Sequence, residues 1–137
     1  MAIAWWMNAL ALAFGVYLGA RGLFDPNWAA RLVRLKPDEQ GGGFAEFRAT
    51  YGGVFLGLHL VALAFSLKYM TGGENVIGVA ATGAAAALSA GWAGAAGGRT
   101  LAIWRDGANT PFNRISICVE AAMALAIAAP WLAWVFG

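Results

Sequence analysis

The sequence FNRISICVEAAMALAIAAPWLAWVF, residues 112–136, is apolar over most of its length and contains one acidic residue, Glu120. A helix that spans a membrane needs about 20 mostly apolar residues, so this stretch predicts a spanning helix. A carboxylate at the centre of such a helix costs about 2.5–3.5 kcal/mol on insertion scales. Residues of this kind are usually paired with another polar group, so Glu120 is the first candidate for a functional or structural site.

Three further apolar stretches precede this one, and they predict spans at about residues 3–24, 44–70 and 75–98. The chain is 61% hydrophobic and 12% charged, with a mean hydropathy of +0.64, whereas soluble domains carry about 25% charged residues. Four spans account for nearly the whole length. The sequence therefore predicts an all-α, polytopic membrane four-helix bundle that forms a single transmembrane domain over residues 1–137.

A short amphipathic segment follows the first span. Asp25 fits a helix N-cap and Pro26 fits the first helical position, which predicts a helix over about residues 26–36. The segment indicates either an interfacial helix on the membrane surface or a connecting helix packed on the bundle. Residues 37–43, PDEQGGG, predict a turn or flexible loop. The apolar stripe of the short helix consists of Trp28, Leu32 and Leu35.

Basic residues gather at the first and third connections between spans, and only Lys68 flanks the second. By the positive-inside rule, the first and third connections face the cytoplasm and both termini lie outside. The expected location is a bacterial inner membrane, with the lipid bilayer as partner. The net charge of +2 is small, and no nucleic-acid partner is expected. The residues that flank the first and third connections are Arg21, Arg31, Arg34, Lys36, Arg48, Arg99, Arg105 and Arg114.

Small residues recur at helical spacing in the first three spans, where they allow helix backbones to approach closely. Packing within the chain is the favoured interpretation, and homo-oligomer formation through a spare small-residue face is the alternative. The glycines predicted to pack helices are Gly15, Gly19, Gly53, Gly57, Gly91, Gly94 and Gly98.

Polar residues also align on one face of a helix. A stripe on the second span joins Arg48 to His59, and a stripe on the fourth span contains Glu120. Both stripes are expected to point inward, which makes Arg48 the expected partner of Glu120. The predicted polar network, or alternatively a ligand or proton site, consists of Arg48, Tyr51, His59, Arg99, Asp106 and Glu120.

The sequence contains no recognisable catalytic set. His59 is the only histidine and Cys118 the only cysteine, so neither a histidine pair nor a metal-ligand pattern is present. Gly41–Gly43 lacks the lysine and the helix context of a phosphate-binding loop. We expect no catalytic residues, no metal site and no cofactor.

A motif that runs through most of the chain resembles a bacterial family of small four-helix integral membrane proteins of unknown function. The motif begins with Arg48, Tyr51, Gly52 and Gly53 in the pattern Arg-x-x-Tyr-Gly-Gly. It continues with Gly98-Arg99, Asp106-Gly107 and Glu120. The resemblance implies that Arg48, Tyr51, Arg99, Asp106 and Glu120 are the characteristic polar set of the family, and it implies no activity. A weaker resemblance links the layout to DoxX-like membrane proteins.

Three functions fit these features. The leading interpretation is a non-enzymatic membrane component, either an accessory subunit of a larger membrane complex or a ligand-binding protein. The second is an oligomeric transporter of a small solute or proton that uses Glu120. The third is a membrane enzyme that acts on a lipophilic substrate.

Overall fold

The structure is a computed structural model that describes residues 1–36, 39–40 and 42–136. The described residues form five helices and no strand, which confirms the all-α class with four long apolar helices. The helices are α1 (Ala2–Phe24), α2 (Pro26–Val33), α3 (Gly42–Met70), α4 (Asn75–Arg105) and α5 (Pro111–Phe136).

All helices except α2 are long and apolar enough to cross a membrane, by length and composition. They have 23, 29, 31 and 26 residues, and a span needs about 20. These four helices indicate a small multi-pass membrane protein. For these four helices, the predicted starts and ends agree with the observed ones within two residues, except at the end of α4.

The end of α4 corrects the predicted span. The helix continues to Arg105 instead of ending at residue 98. Arg99 does not interrupt it, because that side chain bonds to a carboxylate on α5, and the Thr100 hydroxyl donates to the Ala96 carbonyl oxygen at 2.8 Å. The helix ends before Gly107, whose φ of 68° lies in the left-handed region that glycine tolerates.

The short helix α2 begins as predicted. The Asp25 carboxylate accepts a hydrogen bond from the Trp28 backbone N–H at 2.9 Å, and the helix ends three residues before the predicted boundary. Its buried face, Ala29 and Ala30, packs against Phe47 at the start of α3. The exposed side chains of this segment include Arg31, Leu32, Arg34 and Leu35. The helix therefore packs as a connecting helix on one side and leaves part of its predicted apolar stripe uncovered on the other.

The loop predicted at residues 37–43 lies partly outside the described residues. Glu39 and Gln40 form a turn, and Gly42 already begins α3.

The chain divides into two compact units. The first unit contains Met1–Ala11 and Phe65–Gly137, and the second contains Leu12–Ala64. The expectation of a single domain over residues 1–137 stays a prediction.

In the second unit, glycines bring α1 and α3 into backbone contact. A side chain on Gly19 would overlap the backbone of Leu56, and one on Gly22 would overlap the Tyr51 carbonyl group. On the opposite side, a Cβ at Gly52 would lie 2.6 Å from the Leu23 Cα atom. Small residues allow this approach, so these glycines fix the packing of α1 on α3.

In the first unit, α4 packs along α5. Ala81 and Ala85 are fully buried on α4. The Ser89 hydroxyl donates a hydrogen bond of 2.9 Å to the Ala124 carbonyl oxygen of α5. This contact positions the charged residues that lie further along the same two helices.

Candidate functional site

Glu120 of α5 pairs with Arg99 of α4. The Arg99 Nε–H donates to Glu120 Oε1 at 2.7 Å. The Glu120 side chain is 9% exposed and the Arg99 side chain is 33% exposed. A carboxylate in an apolar span is stabilised by such a pair only if its remaining lone pairs are also satisfied, so the second oxygen of Glu120 is the important atom of this site.

That second oxygen, Oε2, is buried and has no hydrogen-bond partner among the described residues. Arginine can bond a carboxylate through two parallel N–H groups, but here a single bond to Oε1 joins the two side chains. Buried polar atoms are nearly always bonded. We term Arg99 and Glu120, with this unbonded oxygen, the half-satisfied pair.

The expected partner of Glu120 was Arg48, and this was wrong. The Arg48 guanidinium donates a hydrogen bond to the Leu23 carbonyl oxygen near the end of α1. The last carbonyls of a helix lack partners within it and are often bonded by basic side chains. Arg48 therefore serves the end of α1, and Arg99 is the residue that pairs with Glu120.

Tyr51 belongs to the same local structure as Arg48. Both lie in a π-helical segment of α3, Phe47–Val54, a conformation that is rare and often found at functional sites. The Tyr51 ring is 40% exposed and packs against Phe47, with ring centroids 5.7 Å apart. The Arg-x-x-Tyr-Gly-Gly element thus forms the surface of α3 that receives the end of α1.

His59 is buried against α1. Its ring occupies the space that a Cβ on Gly15 would need. Its Nδ1–H donates to the Phe55 carbonyl oxygen at 2.8 Å, and its ring centroid lies 4.2 Å from that of Phe55. These contacts give His59 a packing role in the second unit.

Asp106 and several of the predicted packing glycines lie at the surface. Asp106 is exposed in the turn between α4 and α5, where its backbone N–H donates to the Ala102 carbonyl oxygen at 3.0 Å. The glycines predicted to pack helices divide into three groups. Gly15 and Gly19 pack as described, and a Cβ on Gly53 would meet only the Arg48 carbonyl oxygen at 3.5 Å. A Cβ would meet no described atom within 4 Å at Gly57, Gly91, Gly94 and Gly98.

A second polar cluster was missed by sequence reasoning. The Asn8 side-chain amide donates to the Ile127 carbonyl oxygen at 2.7 Å, and its oxygen accepts from the Ser66 hydroxyl at 2.8 Å. Asn8 and Ser66 are fully buried. The cluster ties α1, α3 and α5 together within the first unit. The signal that could have found it is the lone amide in an otherwise apolar first span.

Among residues 1–36, 39–40 and 42–136, no three His, Cys, Asp or Glu side chains come together as a possible metal site. Cys118 is exposed on α5.

Comparison with protein-family models, with curated proteins and with solved structures found no match. The resemblance to a family of small four-helix membrane proteins stays a prediction.

Proposed function

We propose that this protein is a non-enzymatic accessory subunit of a larger membrane complex, and that it joins its partner through one face of α4. The observation that carries the proposal is a continuous exposed face of α4 made of glycine and alanine. We call it the small-residue face, and it consists of Gly83, Ala87, Ala90, Gly91, Gly94 and Gly98.

The small-residue face lies opposite the contact with α5. At 100° per residue, these six positions fall within an arc of about 100°. Ala85, Ser89 and Arg99, which are buried or bonded to α5, fall on the other side of the helix. The side of α4 that carries Ala85, Ser89 and Arg99 is therefore used within the chain, and the small-residue face is exposed.

Bulkier apolar residues flank the small-residue face at both ends. Val76 and Val79 are 65% and 74% exposed at the beginning of α4, and Leu101 and Trp104 are 51% and 82% exposed near its end. A helix that packs against the glycines and alanines in the middle would also contact these side chains. Such a surface fits a second membrane helix.

The use of glycine elsewhere in the chain supports this interpretation. Gly15, Gly19 and Gly22 on α1 all lie in close contact with α3, which shows that this chain packs helices through glycine. In the most apolar window of α4, 17% is buried within the chain, compared with 22% in α3 and 39% in α1 and in α5. Glycine also costs about 1 kcal/mol relative to alanine in a helix, so an open glycine face is expected to serve a contact.

Gly94→Leu is expected to separate the protein from its partner. A leucine in the middle of the small-residue face would keep a second helix from approaching closely, so the bound fraction should fall at least about tenfold. The measurement is native mass spectrometry after gentle extraction into lipid nanodiscs. The wild-type protein should appear with a stoichiometric partner of different sequence, and the variant should appear alone at 14.3 kDa.

The matched control is Gly57→Leu on α3. Gly57 is also exposed, and a Cβ there meets no described atom within 4 Å, so this variant should keep the partner. A wild-type protein that occurs alone, or only with copies of itself, would contradict the proposal. So would a Gly94→Leu variant that keeps its partner.

We also propose a bacterial inner membrane as the location, with both termini outside. Arg31 and Arg34 lie exposed between α1 and α3, and Arg105 and Arg114 lie exposed around the turn between α4 and α5. Lys68 alone flanks the connection between α3 and α4. The excess of basic residues at two connections supports a cytoplasmic position for both.

Cysteine labelling is expected to show this orientation. In a Cys118→Ser background, Glu74→Cys in the α3–α4 connection should react with a membrane-impermeant thiol reagent in intact cells. Glu39→Cys in the first connection should react only after the membrane is permeabilised. Both positions are exposed. The reverse pattern would overturn the proposed orientation.

A further inference from the structure

We propose that the exposed side of α2 and the residues directly after it bind the headgroups of anionic phospholipids. This surface carries basic and apolar side chains together, and all of them are exposed. We call it the basic face, and it consists of Arg31, Leu32, Arg34, Leu35 and Lys36. The inference concerns the connection between α1 and α3 and does not depend on the assembly role of α4.

The first argument is the position of α2 in the chain. The helix follows α1 after a single residue, Asp25, and it precedes α3, and both neighbours are long and apolar enough to span a membrane. A span ends at the bilayer surface, and Phe24, the last residue of α1, is 78% exposed there. The Arg21 guanidinium lies 4.8 Å from the centroid of the Trp28 ring, and tryptophan is enriched at the membrane interface. We therefore place α2 at the level of the lipid headgroups.

The second argument is charge. Residues 26–36 contain three basic residues and no acidic residue. Asp25, directly before the helix, caps it and lies 3.8 Å from a nitrogen of Arg21, so its charge is already used. Among the described residues, neither Arg31 nor Lys36 forms an ion pair. The positive charge of this segment is therefore complementary to an anionic ligand.

The described acidic residues that follow do not neutralise the basic face. Glu39 lies in the turn after it and Glu46 lies at the start of α3, and both are exposed. Neither carboxylate forms an ion pair among the described residues.

The third argument is the apolar part of the basic face, which distinguishes a lipid from a soluble anion. Leu32 and Leu35 are 41% and 55% exposed, whereas Pro26, Ala29 and Ala30 on the other side of α2 are buried. A helix in the membrane interface inserts its apolar side chains among the lipids, while its long basic side chains reach the headgroups. Leucine beside arginine therefore favours a phospholipid over free phosphate.

The backbone at Arg34 gives a fourth argument. Among the described residues, Arg34 is the only one other than glycine with a positive φ, which is 62°. Its N–H donates to the Arg31 carbonyl oxygen at 3.3 Å, and the Leu35 N–H donates to the Ala30 carbonyl oxygen at 3.1 Å. Glycine is the usual residue at this position of a helix end, because it adopts a positive φ without strain. Arginine here keeps a third positive charge on the basic face despite the less favourable backbone conformation.

Quenching by spin-labelled lipids can test the proposal on the full-length protein. In a Cys118→Ser background, a fluorophore is attached at Asn27→Cys, one helical turn before Arg31, or at Asn75→Cys at the start of α4 as control. Both asparagines are exposed. The protein is placed in phosphatidylcholine vesicles that contain a small fraction of phosphatidylglycerol or phosphatidylcholine with a nitroxide near the headgroup.

At position 27, phosphatidylglycerol should associate at least about fivefold more strongly than phosphatidylcholine, because each basic residue near an anionic surface contributes about fivefold, or about 1 kcal/mol. High salt should reduce this preference, since exposed charges are screened. At position 75 the two lipids should quench to a similar extent. Equal quenching by the two lipids at position 27 would refute the proposal and leave this face to a protein partner.

Arg34→Gly separates lipid binding from folding. The variant should lose up to about fivefold of the preference for phosphatidylglycerol, whereas it should unfold no more readily than wild type, because glycine fits a φ of 62°. Arg31→Gln combined with Lys36→Gln should bring the preference close to one, and Arg31→Lys, which keeps the charge, should leave it near the wild-type value. A preference that survives the double substitution would show that the basic face is not the binding site.

Discussion

Arg99→Leu is expected to lower the free energy of unfolding by about 2–4 kcal/mol. Removing one partner of a buried ion pair typically costs about 3–5 kcal/mol, because the other charge is left in apolar surroundings. We expect somewhat less here because the Arg99 side chain is one-third exposed. The measurement is reversible unfolding of the protein in bicelles by steric trapping, a method that reports equilibrium stability within a bilayer.

A double-mutant cycle identifies the pair. The double variant Arg99→Leu with Glu120→Leu should be more stable than Arg99→Leu alone, because no charge is then stranded. Arg48 is the matched control: it bonds the Leu23 carbonyl oxygen instead. The losses from Arg48→Leu and Glu120→Leu should therefore add. Additive losses for Arg99 and Glu120 would show that they are not coupled.

Gly52→Ala is the second substitution with a large expected effect, a loss of about 1–3 kcal/mol from overpacking. The new Cβ would lie 2.6 Å from the Leu23 Cα and N atoms. These are backbone atoms and cannot rotate away as a side chain can. The end of α1 must then move off α3, which also weakens the bond from Arg48 to the Leu23 carbonyl oxygen.

The neighbouring Gly53 provides the control for this prediction. A Cβ there meets only the Arg48 carbonyl oxygen at 3.5 Å, which is ordinary contact. Alanine is a better helix former than glycine by about 1 kcal/mol, so Gly53→Ala should be neutral or slightly stabilising in the same unfolding measurement. Equal losses at the two positions would show that the contact with Leu23 does not account for the effect of Gly52→Ala.

The four long helices could be predicted because length and hydrophobicity alone decide whether a stretch can span a membrane. The end of α4 could not be predicted in the same way. An arginine with no known partner after Gly98 indicates the end of a membrane span. Only the contact between α4 and α5 shows that Arg99 is bonded within the protein. The same missing information led to the choice of Arg48 as the partner of Glu120.

Helical periodicity places a residue on a face of its own helix, but it does not show what that face meets. It put Arg48 and His59 on one stripe of α3, whereas the structure gives them separate roles, at Leu23 and at Gly15. The Asn8 side chain bonds the backbone carbonyl of Ile127 on α5. Every residue has such a carbonyl, so the identity of residue 127 could not predict this contact. The π-helical segment over Phe47–Val54 lies where α3 contacts α1, and no residue pattern in the sequence predicted it.

We propose that the small-residue face of α4 is a docking surface for another membrane protein. Photo-crosslinking in native membranes tests it most directly, with a benzoylphenylalanine residue at position 91 and, as control, at position 57. We expect one discrete adduct at position 91, with a protein of different sequence, and lipid adducts alone at position 57. Lipid adducts alone at position 91, or adducts only between copies of this chain, would contradict it.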